Sequence, residues 1–218
     1  WNFAKKTNEV SHFGNSEVRL VENLLYLYTN PFDIVFDPFA GGGSTIDVCK
    51  KRLRRYWVSD RKPIVERENE IRKLDIVTDL PNFNNRWQDV KLCYLDPPYW
   101  KQAEGQYSKD SEDLANMTLE QFNEALAGVV NRIAAKMPNG SHIALIIQPT
   151  QWKSENRKVT DHVFEMCTLA DSSKLELVTR ISAPYTTQQC TPQQVIWAKE
   201  NKALLVLTRE IIVWQVKK

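Results

Sequence analysis

Four consecutive residues, Asp96-Pro97-Pro98-Tyr99, have the types and order needed to act on a poorly nucleophilic amine. An amine attached to a purine or pyrimidine ring shares its lone pair with the ring, so something must localise it. The Asp96 carboxylate can accept one N–H and the Pro97 carbonyl another, which leaves the lone pair aimed at an electrophile. The prolines stiffen that carbonyl's setting, and Tyr99 offers a ring on which an extruded base can stack. Such stacking contributes roughly 1–3 kcal/mol against the few kcal/mol that extrusion costs. The plain alternative is a proline turn that ends a strand. A second segment, Asp37-Pro38-Phe39-Ala40-Gly41-Gly42-Gly43-Ser44-Thr45, puts three glycines where a backbone could approach a ligand that any Cβ would obstruct. It is not the G-x-G-x-x-G dinucleotide fingerprint, and by itself it leaves the cofactor open. Asp60 can accept hydrogen bonds from both ribose hydroxyls of an adenosine-containing cofactor, or it is an ordinary surface carboxylate. Asp79 is placed to meet the cofactor's adenine amine, or is equally a surface acid.

Those residues need elements to hold them. Ser16 can cap a helix whose apolar positions are Val18, Val21, Leu24, Leu25 and Tyr28, stopped by Asn30-Pro31. Ile34-Val35-Phe36 reads as a strand running into the glycine turn, and a helix follows from Ser44. Tyr56 to Ser59 reads as a second strand, with a short helix from Pro63 toward Lys73. Asp75 to Thr78 is a third candidate strand and Leu92 to Leu95 a fourth, ending on Asp96. Leu119, Phe122, Leu126, Val129 and Ile133 step at helical spacing behind a Thr118/Gln121 capping box. Ser141 to Ile147 reads as a buried fifth strand, followed by a helix near Val159 to Leu169 and strands at Leu175 to Ile181 and Ile211 to Val216. Short, continuously apolar strands alternating with helices imply an α/β fold: a doubly wound, mostly parallel seven-stranded sheet, covered on both faces. Such sheets bind ligands outside the carboxyl ends of their strands, where the winding reverses. If the first and fourth strands are neighbours there, both motifs line one cleft.

Composition limits the alternatives. The chain has 218 residues, 42% hydrophobic and 26% charged, and reads as one soluble domain over 1–218. No apolar run approaches the ~20 residues of a membrane span, and the first residues lack a signal peptide's apolar stretch, so a cytoplasmic location is expected. Cys49, Cys93, Cys167 and Cys190 are scattered and there are three His, so no metal site is expected and the thiols read as reduced and mostly packed. A net charge of +2 does not announce a nucleic-acid binder. The cluster Lys50-Lys51-Arg52-Leu53-Arg54-Arg55 reads as the solvated end of a helix, where cations suit the macrodipole.

The two motifs together resemble those of the amino-group (N6-adenine/N4-cytosine) DNA methyltransferases: the glycine turn their cofactor motif, Asp96 to Tyr99 their catalytic motif. Ser11-His12-Phe13-Gly14-Asn15 resembles the segment that closes over the methionine end of the cofactor, and Arg209 to Trp214 resembles the closing strand, antiparallel at the sheet edge. The resemblance implies a Rossmann-like class I fold, S-adenosyl-L-methionine as cofactor and DNA as partner. It implies cofactor contacts at Phe13, Asp37, Phe39, Ala40, Gly41, Gly43, Ser44, Asp60 and Asp79, and a target base at Asp96, Pro97, Pro98 and Tyr99. N6 of adenine is the expected target; the alternatives are N4 of cytosine, N2 of guanine in RNA, and a catalytically silent partner subunit. Cytosine C5 methylation would need a Pro-Cys nucleophile, which is absent.

Family members of this motif order commonly carry a separate target-recognition domain after the last strand, and none is expected in this chain. Recognition then falls to loops, a second copy of the chain or a partner subunit. The candidate loops are Trp100 to Met117, Gln148 to Lys158 and Ala183 to Gln194, with Lys101, Lys109, Lys153, Arg157 and Lys158 for phosphates, Lys101, Lys153 and Arg157 foremost, beside Tyr107, Trp152 and Tyr185 for stacking.

Overall fold

The computed structural model describes residues 1, 17–101, 104–105, 110–150, 159–184, 191–203 and 205–218. In chain order these form α1 (Val18–Tyr28), β1 (Ile34–Asp37), α2 (Ser44–Lys51), β2 (Arg55–Asp60), β3 (Arg72–Lys73), β4 (Val90–Leu95), α3 (Leu119–Lys136), β5 (His142–Ile147), α4 (His162–Leu169), β6 (Leu175–Pro184), α5 (Pro192–Glu200) and β7 (Thr208–Val216). The seven strands make one sheet in the order β3-β2-β1-β4-β5-β7-β6. β7 runs antiparallel to both its neighbours, and the pairs from β3 to β5 are parallel. This is the expected doubly wound class I fold.

The apolar strands are explained by cover on both faces. Along β5, Ile143, Leu145 and Ile147 join a core with Phe122, Leu126 and Ile133 of α3 and Val163 and Met166 of α4. Ala144 and Ile146 point the other way, into a core with Leu20, Leu24 and Leu25 of α1 and Val48 of α2. α3 starts where its sequence says: the Gln121 N–H donates to Thr118 Oγ1 at 3.3 Å and the Thr118 N–H to Gln121 Oε1 at 3.1 Å. No helix among the described residues is long and apolar enough to cross a membrane.

Several expectations are corrected. Asp75 to Thr78 is a turn, not a strand. The Asp75 side chain accepts from the Val77 N–H and its carbonyl from the Thr78 hydroxyl and the Asp79 N–H, local bonds that compete with a ladder. The third strand is the two-residue Arg72–Lys73, paired with Ser59 and Asp60. Helix α1 is capped by the Glu17 carboxylate, which accepts the Arg19 N–H; Ser16 lies outside the described residues. The helix expected from Pro63 is one 3-10 turn, Val65–Arg67. β7 is antiparallel but lies inside the sheet, and β6 forms the edge. Pro192–Glu200, within and beyond an expected loop, is helix α5, begun by a Thr191/Gln194 capping box with proline in its first turn. Cys49 and Cys93 are buried as packed thiols, whereas Cys167 is exposed; Cys190 lies outside the described residues. The basic cluster behaves as a helix end: Lys51 and Arg52 pair with Glu22, and Arg54 donates to the carbonyls of Thr29 and Leu25 that end α1.

Candidate active site

β1 and β4 are adjacent parallel strands with Phe36 opposite Cys93, so their carboxyl ends deliver Asp37 and Asp96 side by side. This is where the strand order reverses, and a cleft of about 1190 Å³ opens there. Asp37, Phe39, Ala40, Gly41, Ser44, Asp60, Asp79, Asp96 and Pro98 all line it, so most of the residues singled out by type and spacing converge on one cavity.

The glycine turn is clasped from within. Buried Asp37 accepts the Thr45 hydroxyl at 2.6 Å and the Phe39 N–H at 2.9 Å, tying the strand end to the first turn of α2. Burial pushes the Asp37 carboxyl up to about 7; those two hydrogen bonds oppose the shift, and the charges of Asp96 and Asp60 add to it. Gly41 adopts a left-handed φ of 49°, and its N–H donates to Asp60 Oδ2 at 2.9 Å. The Lys62 N–H donates to Asp60 Oδ1 at 2.8 Å. Asp60 is thus held by two backbone donors at the cleft wall, with acceptor capacity remaining for a ligand's hydroxyls. Gly43 does not line the cleft. It has φ of 82°, and a Cβ there would stand 2.7 Å from Arg67 Cδ, whose guanidinium is bound by Asp47. Its glycine identity serves the packing of the turn.

Asp96 is held by two phenols. Tyr94 donates to Oδ2 at 3.4 Å and Tyr99 to Oδ1 at 3.2 Å. Burial and then the nearby Asp96 charge raise the Tyr94 phenol well above its ordinary value, which keeps it a donor. Pro97 and Tyr99 lie outside the cleft lining; the Tyr99 ring is half-buried against the core that contains α1. Lys101 pairs with Glu104 at 2.7 Å. Phe13, Lys109, Lys153, Arg157 and Lys158 lie outside the described residues, as do the rest of Ser11 to Asn15 and the aromatic residues expected in the recognition loops at Tyr107, Trp152 and Tyr185.

Four contributors were not singled out from the sequence. Thr45, inside the glycine segment, clasps Asp37. Tyr94 precedes Asp96 by two residues and so shares its face, a period-two relation that could have identified it. Arg61 bridges Asp75 at 3.2 Å and Asp110 at 2.5 Å, joining three chain segments along the cleft. His162 is fully buried, with Nε2 3.0 Å from Thr150 Oγ1, and burial pulls its pKa down to about 4. Nothing local in the sequence marks Arg61 or His162, because their partners lie far away in sequence or beyond a turn. Among the described residues, no group of three or more His, Cys, Asp or Glu could hold a metal ion.

The fold recurs in known methyltransferases. TrmN from Thermus thermophilus superposes with a TM-score of 0.59 at 14% identity, over 94% of this chain and 50% of that one. An rRNA methylase from Streptococcus thermophilus superposes at 0.53 and 12% identity, over 94% and 98% of the two chains. The 1,6-didemethyltoxoflavin-N1-methyltransferase of Burkholderia thailandensis, solved with S-adenosylhomocysteine, superposes at 0.55 and 11% identity, over 92% and 78%. The chain thus spans half the length of TrmN. No curated protein sequence matches it. Residues 1–66 match a family described as DNA methylase, the N6/N4 type, a stretch that holds the glycine turn and Asp60 but stops before Asp96. The chain therefore has the class I methyltransferase fold, and the match to the N6/N4 DNA methylase family is confined to residues 1–66.

Proposed function

We propose that this protein transfers the methyl group of S-adenosyl-L-methionine to the exocyclic amine of a nucleic-acid base drawn out of its stack, N6 of adenine in DNA in the first instance. The observation that carries this reading is the placement of Asp96, oriented by two phenols, in the same cleft as the Asp37–Gly41 turn and the backbone-held Asp60. The residues fit the cofactor. The Gly41 backbone can approach a ligand closely, and Asp60 can accept ribose hydroxyls. The cleft's excess of carboxylates, among them Asp37, Asp60, Asp79 and Asp96, suits a cationic sulfonium. S-adenosylmethionine supplies an electrophilic methyl on that sulfonium.

The chain's own residues then do three things. Asp96 accepts an N–H of the target amine and keeps the lone pair out of conjugation. Its phenol partners restrict the carboxylate's rotation, so that little reorganisation is needed in the transition state. As the nitrogen gains its fourth bond it becomes acidic, and Asp96, which in this reading already accepts one of its N–H bonds, can take that proton. The acidic lining also bears on how a nucleic acid could enter. Phosphates are disfavoured inside such a cleft, so the backbone stays at the rim and a neutral base alone is inserted.

The test is to incubate the protein with methyl-tritiated cofactor and DNA or RNA, then hydrolyse to nucleosides. Label in N6-methyl-2′-deoxyadenosine from DNA is expected. Label in N4-methylcytosine moves the target within DNA, and label in N2-methylguanosine from RNA replaces the substrate. Cofactor binding without transfer to any nucleic acid leaves the silent-subunit reading.

A further inference from the structure

We infer that His162 is a positioning residue for methyl transfer: through the Thr150 hydroxyl it fixes the Trp100–Lys101 peptide, one residue beyond Tyr99, and so holds the exit of the Asp96–Tyr99 turn. This rests on the function proposed above. Trp100 comes directly after Tyr99 and is buried; its indole N–H donates to the Met117 carbonyl at 2.9 Å, and its own carbonyl accepts the Thr150 hydroxyl at 3.3 Å. The next residue, Lys101, has a left-handed φ of 58°, and its N–H donates to the Ala115 carbonyl at 3.2 Å. A non-glycine residue in that region persists only where its surroundings impose it. The Trp100–Lys101 peptide plane is imposed from both sides, by Ala115 on its N–H and by Thr150 on its carbonyl.

Thr150 is in turn fixed from α4. Its backbone exchanges two hydrogen bonds with Thr160, at 3.1 and 2.7 Å. Its Oγ1 lies 3.0 Å from His162 Nε2. A hydroxyl has one proton, and Thr150 gives it to the Trp100 carbonyl, so the contact with His162 requires an Nε2–H that donates to the threonine oxygen. On that assignment Nε2 carries the proton and Nδ1 is an acceptor, which has no hydrogen-bond partner among the described residues. The ring is wedged edge-on against Trp100 and Phe122, with centroids 5.7 and 5.2 Å away, so it cannot turn aside. The relay from His162 Nε2–H to Thr150 Oγ1–H to the Trp100 carbonyl thus runs from the first turn of α4 to the residue adjoining the catalytic turn.

His162→Phe keeps the aromatic wedge and removes the donor; Thr150→Val removes the hydroxyl; His162→Gln returns an amide N–H near Nε2. Turnover is expected to fall about tenfold or more in His162→Phe and Thr150→Val, since small misplacements of reacting groups cost up to about a hundredfold. Cofactor affinity by calorimetry should stay within about twofold, and His162→Gln should recover most of the turnover. The double variant should be no worse than either single one, because both break the same relay. Turnover kept within about threefold in both single variants overturns the inference. So does a loss that accompanies equal losses of cofactor affinity and melting temperature without recovery in His162→Gln, which marks a merely structural residue. If the wild type methylates no nucleic acid, the proposed function fails, and hydrogen exchange decides the relay. The Lys101 amide should exchange faster in His162→Phe and regain protection in His162→Gln, and unchanged exchange overturns the relay.

Discussion

Asp96 accepts from Tyr94 and Tyr99 and lines the cleft, and it makes none of the hydrogen bonds that hold the glycine turn to Asp37 and Asp60. Asp96→Ala should therefore abolish transfer while cofactor affinity, read by calorimetry, changes little; loss of such a contact costs at least about tenfold in turnover. Tyr99→Phe removes one hydrogen bond to that carboxylate, about 1 kcal/mol or some fivefold in rate, and Tyr99→Ala removes the ring as well and should cost more. Equal losses in the two would place the whole of the tyrosine's effect in its hydroxyl. Asp37 and His162 give opposite dependences of stability on pH. The raised Asp37 carboxyl binds its proton more tightly when folded, so its contribution is full below the ordinary value of 3.8 and is lost as pH rises toward about 7. The depressed His162 contributes fully above 6.5 and loses that contribution as pH falls toward about 4. Half-buried His142, also lowered by burial, acts in the same sense as His162. Between pH 4 and 6.5 the two effects oppose each other. Urea unfolding of Asp37→Asn should show stability rising more steeply with pH across that window than in the wild type.

Elements succeed or fail by whether local chemistry agrees with long-range packing. The start of α3 was legible to the residue because its apolar spacing, cap and first turn all say the same thing. β3 was not: Ile76 and Val77 are apolar, but they reach the core from an Asp75-centred turn, and the paired residues are two exposed cations. α5 carries a readable Thr191-Pro192-Gln193-Gln194 start, but no buried residue, so periodicity had nothing to report. The end of α2 departs from turn chemistry. The Arg54 N–H reaches back to the Cys49 carbonyl around Leu53, which is exposed and has φ of 59°, at a position that favours glycine. A left-handed non-glycine residue costs roughly 1–2 kcal/mol. Part of the relief is offset by the entropy that glycine loses on folding, so Leu53→Gly should raise stability by about 0.5–1 kcal/mol in urea titration. On the cleft side, Gly41→Val and Asp60→Ala should each weaken cofactor binding in calorimetry without nucleic acid, because a side chain would crowd the turn and the acceptor proposed for the ribose would be gone. Unchanged affinity in both would place the cofactor elsewhere.

At the scale of the molecule, the proposed recognition of a nucleic acid is what lies furthest from the described site. The cleft holds more acids than cations, although Lys62 and Lys73 also line it, and Lys101 is paired with Glu104; the further phosphate contacts are proposed for the surrounding loops. Lys153→Ala with Arg157→Ala is expected to weaken DNA binding and to flatten its salt dependence by about two units, about one for each charge removed. An unchanged slope would assign recognition to a partner subunit. What the sequence determined by itself is the chemistry carried by contiguous residues: the glycine turn, the Asp96–Tyr99 turn, the strands that end on them, and the sheet class that makes strand ends the binding side. Each is readable because residue type and spacing act over a few neighbours. Tertiary structure decided which of those residues meet. It set Asp37 beside Asp96, turned Gly43 toward Arg67 and away from the cleft, and placed β7 inside the edge strand β6. It joined Arg61 to Asp110 and, across a turn, His162 to Thr150 and Trp100. Those contacts arise when separate elements pack, and no local pattern of side chains encodes which distant partner a buried polar group will find.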